Sequence, residues 1–232
     1  MNNDELLLTN IPDIKGRYIV LDTETTGLYP NVRDHIISLA GIEIIDGRLT
    51  GLQFQGYIQP RVFIGEGAIS IHKLNNNFYS EYFKDTYKSD FEVLNNFRKF
   101  VDDSLVFAHN ATFDYQFLYK EFKQFNIPPI EKSNFRCTMK IFKKVFSEVD
   151  PTLKANVKLS NCCNYLGIKA MNENYHNALY DAYMCARLIC FIFDFKNIKT
   201  QQNSLRKKSN DEKSNKEKSN VSSNYLVFIL FF

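Results

Sequence analysis

Two acids stand at the end of a short apolar run near the N-terminus. Residues Tyr18 to Leu21 are apolar and partly β-branched, which predicts a buried strand, and Asp22 and Glu24 follow directly. Side chains alternate between the two faces of a strand, so these carboxylates should project to the same side. Two like charges held this close raise each other's pKa unless a cation lies between them. Because only oxygen ligands are on offer, without Cys or His, the expected cation is Mg²⁺ or Mn²⁺.

Two more acids follow strand and helix boundaries later in the chain. Asp114 falls in the first turn of a predicted helix, just after the apolar strand Leu105–Ala108. Asp181 lies inside the first turns of a densely apolar helix predicted from Ala178 to Phe193, and a buried carboxylate there needs a partner or a metal. His176 precedes Asp181 by five residues, about 140° on a continuous helix, so to share a site it must lie in the loop before the helix.

Each of these residues taken alone has a simple structural explanation. An acid at a strand end can be solvated, an acid in a first helical turn complements the helix dipole, and a histidine before a helix is usually a polar loop residue. The spacing of Asp22 and Glu24 also recurs at Asp90 and Glu92, where the acids are expected to begin a helix. Only the combination of several carboxylates at one sheet edge indicates a metal-dependent site.

The remaining pattern predicts the elements that would position these residues. Asp46-Gly47 between two β-rich runs predicts an antiparallel hairpin after the first strand. Ser89 or Asp90 should cap a helix over Phe91–Val101. Further helices are expected after Ala108, over 136–146 following a strand end, over 159–166 closed by Gly167, and over 178–193.

Three motifs, in this order, resemble a known family. LDTETTGL, AHNATFDYQFL and HNALYDA resemble the DEDDh 3′→5′ exonucleases, in particular the proofreading subunit of bacterial replicative DNA polymerase and its stand-alone relatives. The resemblance runs from about residue 17 to 194. It implies an α/β, RNase H-like exonuclease fold with a central mixed five-stranded sheet flanked by helices.

The resemblance also implies roles for the acids and the histidine. It implies metal ligands at Asp22, Glu24, Asp114 and Asp181, which would hold two Mg²⁺ or Mn²⁺ ions, and a general base at His176. A related group with a tyrosine base would need Tyr four residues before Asp181, where this chain has Asn.

The resemblance also implies substrate contacts at five further positions. The backbone at Thr25 and Gly27 would approach the terminal nucleotide, Leu28 would pack against its base, and Asn110 and Phe113 would shape the pocket. The chain has Asn177 where the family often has Gly or Arg, and Lys73 in IHKLNN where the family commonly has the Gly of a His-Gly turn. Both departures concern substrate preference.

The implied reaction is two-metal-ion hydrolysis at DNA 3′ ends that releases nucleoside 5′-monophosphates, in proofreading or DNA repair. Thr-Glu-Thr at 23–25 favours DNA, since short-RNA enzymes more often carry Glu-Met-Thr. Two alternatives stay open: an RNA-trimming exoribonuclease of the same fold, and a catalytically silent module that binds a polymerase or a nucleic-acid end. The implied partners are single-stranded or frayed DNA 3′ ends, a DNA polymerase subunit and a sliding clamp. Residues 202–205 of this chain, QNSL, match the motif of clamp-binding proteins only in part.

Composition indicates one folded domain in a reducing compartment. The 232 residues carry a net charge of +3, all of it between 206 and 218, so the charge offers no separate argument for nucleic acid. Five cysteines without a CxxC pair, and no visible secretory signal, predict a cytoplasmic protein.

The expected organisation has four parts. These are an N-terminal extension (1–16), the exonuclease domain (17–200), a disordered Lys/Ser/Asn-rich linker (201–224) and a short apolar tail (225–232). The tail, YLVFILFF, falls short of the about 20 residues needed to span a bilayer, and we interpret it as a partner-docking segment.

Overall fold

The computed structural model describes residues 10–85, 88–146, 150, 156–170 and 177–214. Their central feature is a five-stranded sheet in the order β3-β2-β1-β4-β5. β1, β2 and β3 are antiparallel neighbours, whereas β4 and β5 run parallel to β1, which confirms the mixed sheet. The strands are β1 (Arg17–Thr25), β2 (Ile36–Ile45), β3 (Arg48–Tyr57), β4 (Leu105–Ala108) and β5 (Phe135–Cys137).

The described residues form seven α-helices. They are α1 (Glu66–His72), α2 (Asn76–Asp85), α3 (Asp90–Val101), α4 (Ala111–Gln124), α5 (Thr138–Phe146), α6 (Leu159–Tyr165) and α7 (Ala178–Ser214). The helix predicted over Phe91–Val101 is confirmed, and its cap is Ser89, whose hydroxyl accepts from the Glu92 N–H in a reciprocal capping box.

The predicted hairpin is confirmed between β2 and β3. Ile45 pairs with Arg48, and the two residues between them have left-handed backbones, with φ of 50° at Asp46 and 76° at Gly47. Two successive positive φ values define the tight turn that matches the twist of the strands, and Asp-Gly is a favoured sequence for it.

Strand β1 is buried on both faces. Ile19 and Leu21 belong to a core cluster that includes Phe97 of α3 and Phe117 of α4. On the opposite face, the Tyr18 ring lies 5.5 Å from that of Phe193 in α7. The apolar residues before Asp22 therefore pack against helices on both faces of the sheet, and this packing holds the carboxyl end of β1 in place.

One helix extends beyond its expected end. Helix α7 continues to Ser214, so residues 201–214 of the expected disordered linker are helical. Gln, Leu, Arg and Lys are good helix formers, and extending an existing helix avoids the cost of nucleation. The first compact unit ends at Phe193 and the second begins at Asp194. The rest of the expected linker and the apolar tail 225–232 lie outside the described residues.

Two further observations concern compartment and membrane. All five cysteines are free thiols, and four of them are buried. Within the described ranges, no helix combines the length and the apolar character needed to cross a bilayer.

Candidate active site

Three carboxylates from two elements meet at the end of β1. Asp22 and Glu24 come from the strand and Asp181 from the first turn of α7, and each offers a ligand oxygen within 4.8 Å of the others. Glu24 is only 9% exposed. An all-oxygen donor set at this spacing fits a hard divalent cation, so these residues form a candidate metal centre.

Asp114 approaches the same cluster from α4. It lies in the first turn of that helix, is 2% exposed, and accepts a 2.8 Å hydrogen bond from the Thr23 hydroxyl. Its charge acts on both Asp22 and Glu24. Sequence reasoning did not single out Thr23, although alternation along β1 places its side chain on the face opposite to the two acids, the side against which α4 packs.

Burial and mutual repulsion shift the pKa values of these acids upward. Burial first, and then the charges of Asp114, Glu24 and Asp181, raise the pKa of Asp22 well above its ordinary value. Burial and the charges of Asp181 and Asp114 raise the pKa of Glu24 to about 8. Burial raises the pKa of Asp114 to about 7, against the opposing effect of the Thr23 hydrogen bond. The fully ionised cluster is therefore costly by itself, and a bound cation would stabilise it.

The segment before α7 carries the predicted general base. His176 lies outside the described residues, so its role stays a prediction. Helix α7 begins at Ala178, and the Asn177 side chain caps it by accepting from the N–H groups of Leu179 (3.1 Å) and Tyr180 (3.3 Å). Tyr57 of β3 also hydrogen-bonds Asn177, which fixes the entry to the helix that carries Asp181.

The predicted substrate residues at the end of β1 and just after it form a tight turn that follows Glu24 in the chain. The Thr25 hydroxyl donates to the Gly27 carbonyl at 2.6 Å, and Leu28 is 69% exposed. A Cβ at Gly27 would lie 2.4 Å from Asp34 Oδ2, so only glycine fits at this position. The turn leaves Leu28 free to contact a ligand.

Asn110 and Phe113 lie at the start of α4, next to Asp114. Asn110 has a φ of 77°, is exposed, and its carbonyl accepts from the Phe113 N–H at 2.8 Å. The Phe113 ring packs at 4.8 Å from the Phe117 ring, which leaves it half-buried at the domain surface. Asn110 precedes Asp114 by four residues and Phe113 precedes it by one.

Lys73 occupies a position whose backbone favours glycine. It follows α1 with a φ of 63°, in the left-handed region, and its N–H donates to the Ile69 carbonyl. This conformation gives a physical reason for the Gly that the resemblance leads one to expect there. The lysine adopts it at an energetic cost.

Comparisons with known proteins agree with this geometry. The exonuclease family model of RNase T type matches residues 19–189. DNA polymerase III subunit epsilon of Buchnera aphidicola subsp. Acyrthosiphon pisum (strain APS) is 31% identical over 204 residues, which are 84% of this chain and 81% of that protein. The epsilon subunit of Rickettsia prowazekii (strain Madrid E) is 32% identical over 175 residues, 74% of this chain and 72% of that protein.

Solved structures show the same fold. E. coli exonuclease I in complex with a dT13 oligonucleotide superposes with a TM-score of 0.64 at 15% identity, over 77% of this chain and 41% of that one. Exonuclease X in complex with 5′ overhanging duplex DNA gives 0.57 at 21% identity, over 78% and 93%. The chain thus spans less than half of exonuclease I and nearly all of exonuclease X, which confirms the RNase H-like exonuclease fold. On the family match and the identity with its relatives, the chain belongs to the exonuclease family that includes the epsilon subunits of DNA polymerase III.

Proposed function

We propose that this chain hydrolyses the terminal phosphodiester at DNA 3′ ends with two bound divalent ions and releases nucleoside 5′-monophosphates. The observation that carries the proposal is the meeting of Asp22, Glu24 and Asp181 within 4.8 Å, with Asp114 beside them. The names of the curated relatives favour DNA over RNA as the substrate.

The four carboxylates would hold Mg²⁺ or Mn²⁺, and the charges of the other three all act on Asp22. Divalent ions supply charge stabilisation of phosphoryl oxygens and lower the pKa of water, which generates a nucleophile near neutral pH. The carboxylates bind and orient these ions. The raised pKa values of Asp22, Glu24 and Asp114 mean that protons compete with the ions for the same oxygens.

Other residues would handle the proton and the nucleic acid. His176, with an ordinary pKa of about 6.5, would accept the proton of the attacking water. Thr25 and Gly27 would approach the terminal nucleotide through their backbones, and Leu28 would cover its base. Asn110 and Phe113 would form the opposite wall of the pocket at the start of α4.

The proposed partners follow from the relatives. A protein of this type would act on single-stranded or frayed DNA 3′ ends, and the name shared by its relatives favours a DNA polymerase as an assembly partner. The partial QNSL motif at 202–205 is the basis for a sliding clamp as a second proposed partner. We also propose a cytoplasmic location, which the five free thiols support.

A time course on a 5′-labelled single strand tests the proposal. Purified full-length protein with Mn²⁺ or Mg²⁺ is given the same strand as DNA and as RNA, beside an Asp22→Ala variant. Asp103→Ala, at an exposed acid just after α3, is the matched control. We expect a ladder that shrinks from the 3′ end, nucleoside 5′-monophosphates as products, and no ladder with Asp22→Ala.

Each other result has a definite meaning. Asp22→Ala activity within about tenfold of the parent protein would contradict the site assignment. Faster shortening of RNA would favour the RNA-trimming alternative. Binding of 3′ ends without shortening of either strand would favour the silent module.

A further inference from the structure

A nine-residue turn after Thr25 leads from β1 back to β2. The Thr26 N–H donates to the His35 carbonyl at 2.9 Å, which closes the base of the turn. Inside it, the N–H groups of Val32, Arg33 and Asp34 all point to the carbonyl of one residue, Tyr29, at 3.1–3.3 Å. We call residues 26–34 the β1–β2 turn. It contains Gly27 and Leu28, two of the predicted substrate contacts.

Asp34 is the last residue of the β1–β2 turn, and its carboxylate packs against the rest of the turn. Asp34 is 3% exposed, and its two oxygens accept from the Tyr29 N–H at 2.9 Å and from the Thr26 hydroxyl at 3.2 Å. The same carboxylate fills the space that a side chain at Gly27 would need. The buried Asp34 carboxylate therefore contacts the turn both before Leu28, at Thr26 and Gly27, and after it, at Tyr29.

Helix α4 anchors the base of the turn. Lys120 Nζ donates to the Asp34 carbonyl at 2.8 Å, and His35 Nδ1 lies 3.0 Å from Glu121 Oε1. Glu121 is fully buried, and its other oxygen accepts from Arg61. The helix that holds Asp114 at its start thus also holds the β1–β2 turn, about two helical turns further on.

The turn presents large apolar side chains to solvent. Leu28, Tyr29 and Val32 are 69%, 59% and 80% exposed. An apolar patch exposed on a firmly hydrogen-bonded turn is typical of a binding surface, and unpaired bases bind proteins by stacking and apolar contact. The turn that carries the patch directly follows Glu24 and Thr25 in the chain, so its expected ligand is the end of the strand that the acids would cleave.

We propose that Asp34 is a positioning residue for the substrate. Its carboxylate fixes the β1–β2 turn so that Leu28 and Tyr29 meet the terminal bases, in register with the acids that α4 and β1 hold. This inference rests on the proposed function. Asp34 acts through Thr26 and Tyr29, rather than by binding an ion together with the acid cluster.

The test separates strand binding from chemistry. Asp34→Ala and the milder Asp34→Asn are compared with the parent protein on labelled single-stranded DNA and on bis(p-nitrophenyl) phosphate, a small diester without bases. For DNA we expect KM to rise about tenfold in Asp34→Ala and about threefold in Asp34→Asn, with kcat within about twofold. Rates on the small diester should stay within about twofold, because it does not reach the turn.

Asp46→Asn is the matched control. Asp46 also stabilises a turn, since its carboxylate accepts from the Gly16 N–H at 2.8 Å, but at the other end of β1. We expect it to leave KM for DNA unchanged. Thermal unfolding of each variant shows whether it folds, and Asp34→Asn carries the test if Asp34→Ala does not. An Asp22→Ala background, in which strand binding is measured by fluorescence anisotropy, gives a second readout, where Asp34→Ala should raise Kd about tenfold.

Two results would overturn the inference. One is an unchanged KM and Kd for DNA in both Asp34 variants. The other is an equal loss of rate on DNA and on the small diester, which would show a general structural role. If the parent protein shortens no strand, the proposed function itself fails, which is distinct from failure of Asp34 variants in an active enzyme.

Discussion

The Thr23 hydroxyl donates a 2.8 Å hydrogen bond to Asp114 Oδ1, and this contact joins the acid-bearing end of β1 to the start of α4. Both residues are buried, at 7% and 2% exposure. The hydrogen bond lowers the pKa of Asp114 against the stronger effect of burial. It therefore favours the ionised carboxylate that a cation would bind.

Replacing Thr23 with valine should weaken metal binding, most strongly at lower pH. Valine keeps the shape but removes the donor, so the pKa of Asp114 should rise above about 7 and protons should compete better with the metal. We expect the pH–rate profile at limiting Mg²⁺ to shift to higher pH, with about a five- to tenfold loss of rate at neutral pH.

Thr50→Val is the matched control for this variant. The Thr50 hydroxyl donates an equivalent 2.8 Å hydrogen bond to Glu43 Oε2, away from the acid cluster. Its loss should leave the pH–rate profile in place. Superimposable profiles for Thr23→Val and the parent protein would show that the Thr23 contact has no influence on the site.

The metal-free protein should lose stability as pH rises. The folded pKa values of Glu24 and Asp114, about 8 and about 7, lie above their ordinary values of 4.5 and 3.8. The folded state then binds more protons than the unfolded state between about pH 4 and pH 8, so the free energy of unfolding falls with rising pH in that window. Urea unfolding in chelator at pH 5.5, 7 and 8.5 checks this.

At saturating Mg²⁺ the free energy of unfolding should instead rise with pH, since the ion stabilises the ionised acids. At a free concentration of 100 times Kd the gain is about 2.7 kcal/mol. A metal-free stability that rises from pH 5.5 to 8.5 would contradict the raised pKa values.

Asp181→Asn should separate stability from activity. Removing one charge from the cluster relieves the repulsion that Asp181 exerts on Asp22 and Glu24. We expect the metal-free variant to gain about 1 kcal/mol at pH 8, to gain less on addition of Mg²⁺, and to lose hydrolysis. Asp103→Asn, at an exposed acid, should change none of the three quantities.

His176→Ala should slow turnover without loss of metal affinity. As the predicted general base, His176 would accept a proton, and the variant should lose the acid limb of the pH–rate profile at about pH 6.5. Metal titration followed by thermal unfolding should match the parent protein. A shift in that titration as large as the shift for Asp181→Ala would make His176 a metal ligand instead.

Lys73→Gly should stabilise the protein relative to Lys73→Ala. Lys73 has a φ of 63°, and both variants remove the lysine side chain beyond Cβ, but only glycine, which also lacks the Cβ, adopts this backbone conformation without strain. The left-handed conformation costs a residue with a Cβ about 1 kcal/mol or more. We expect a difference of about 1 kcal/mol between the variants in urea unfolding, and equal values would show that this backbone carries no strain.

The elements of the fold that depend on neighbouring residues were predictable. Asp46-Gly47 specified its turn, Ser89 specified a helix start, and the apolar run before Asp22 specified a buried strand. Each of these features depends on backbone propensity and on side chains a few residues apart. The sequence pattern does not predict the extension of α7 through Ser214, because a polar composition is typical of disordered segments, although the same residues are good helix formers.

The sequence by itself determined the fold class, the family and the residue types of the site, since these are carried by local patterns and by motifs in a fixed order. Only the tertiary structure decided that Asp181 reaches Asp22 and Glu24, that Thr23 holds Asp114, and that Asp34 lies beneath Gly27. Those contacts join segments far apart in the chain, or fill a space left by packing, and no local preference encodes them. The pKa values of the acids belong to the same category, because burial and the distance between charges exist only once the core has assembled.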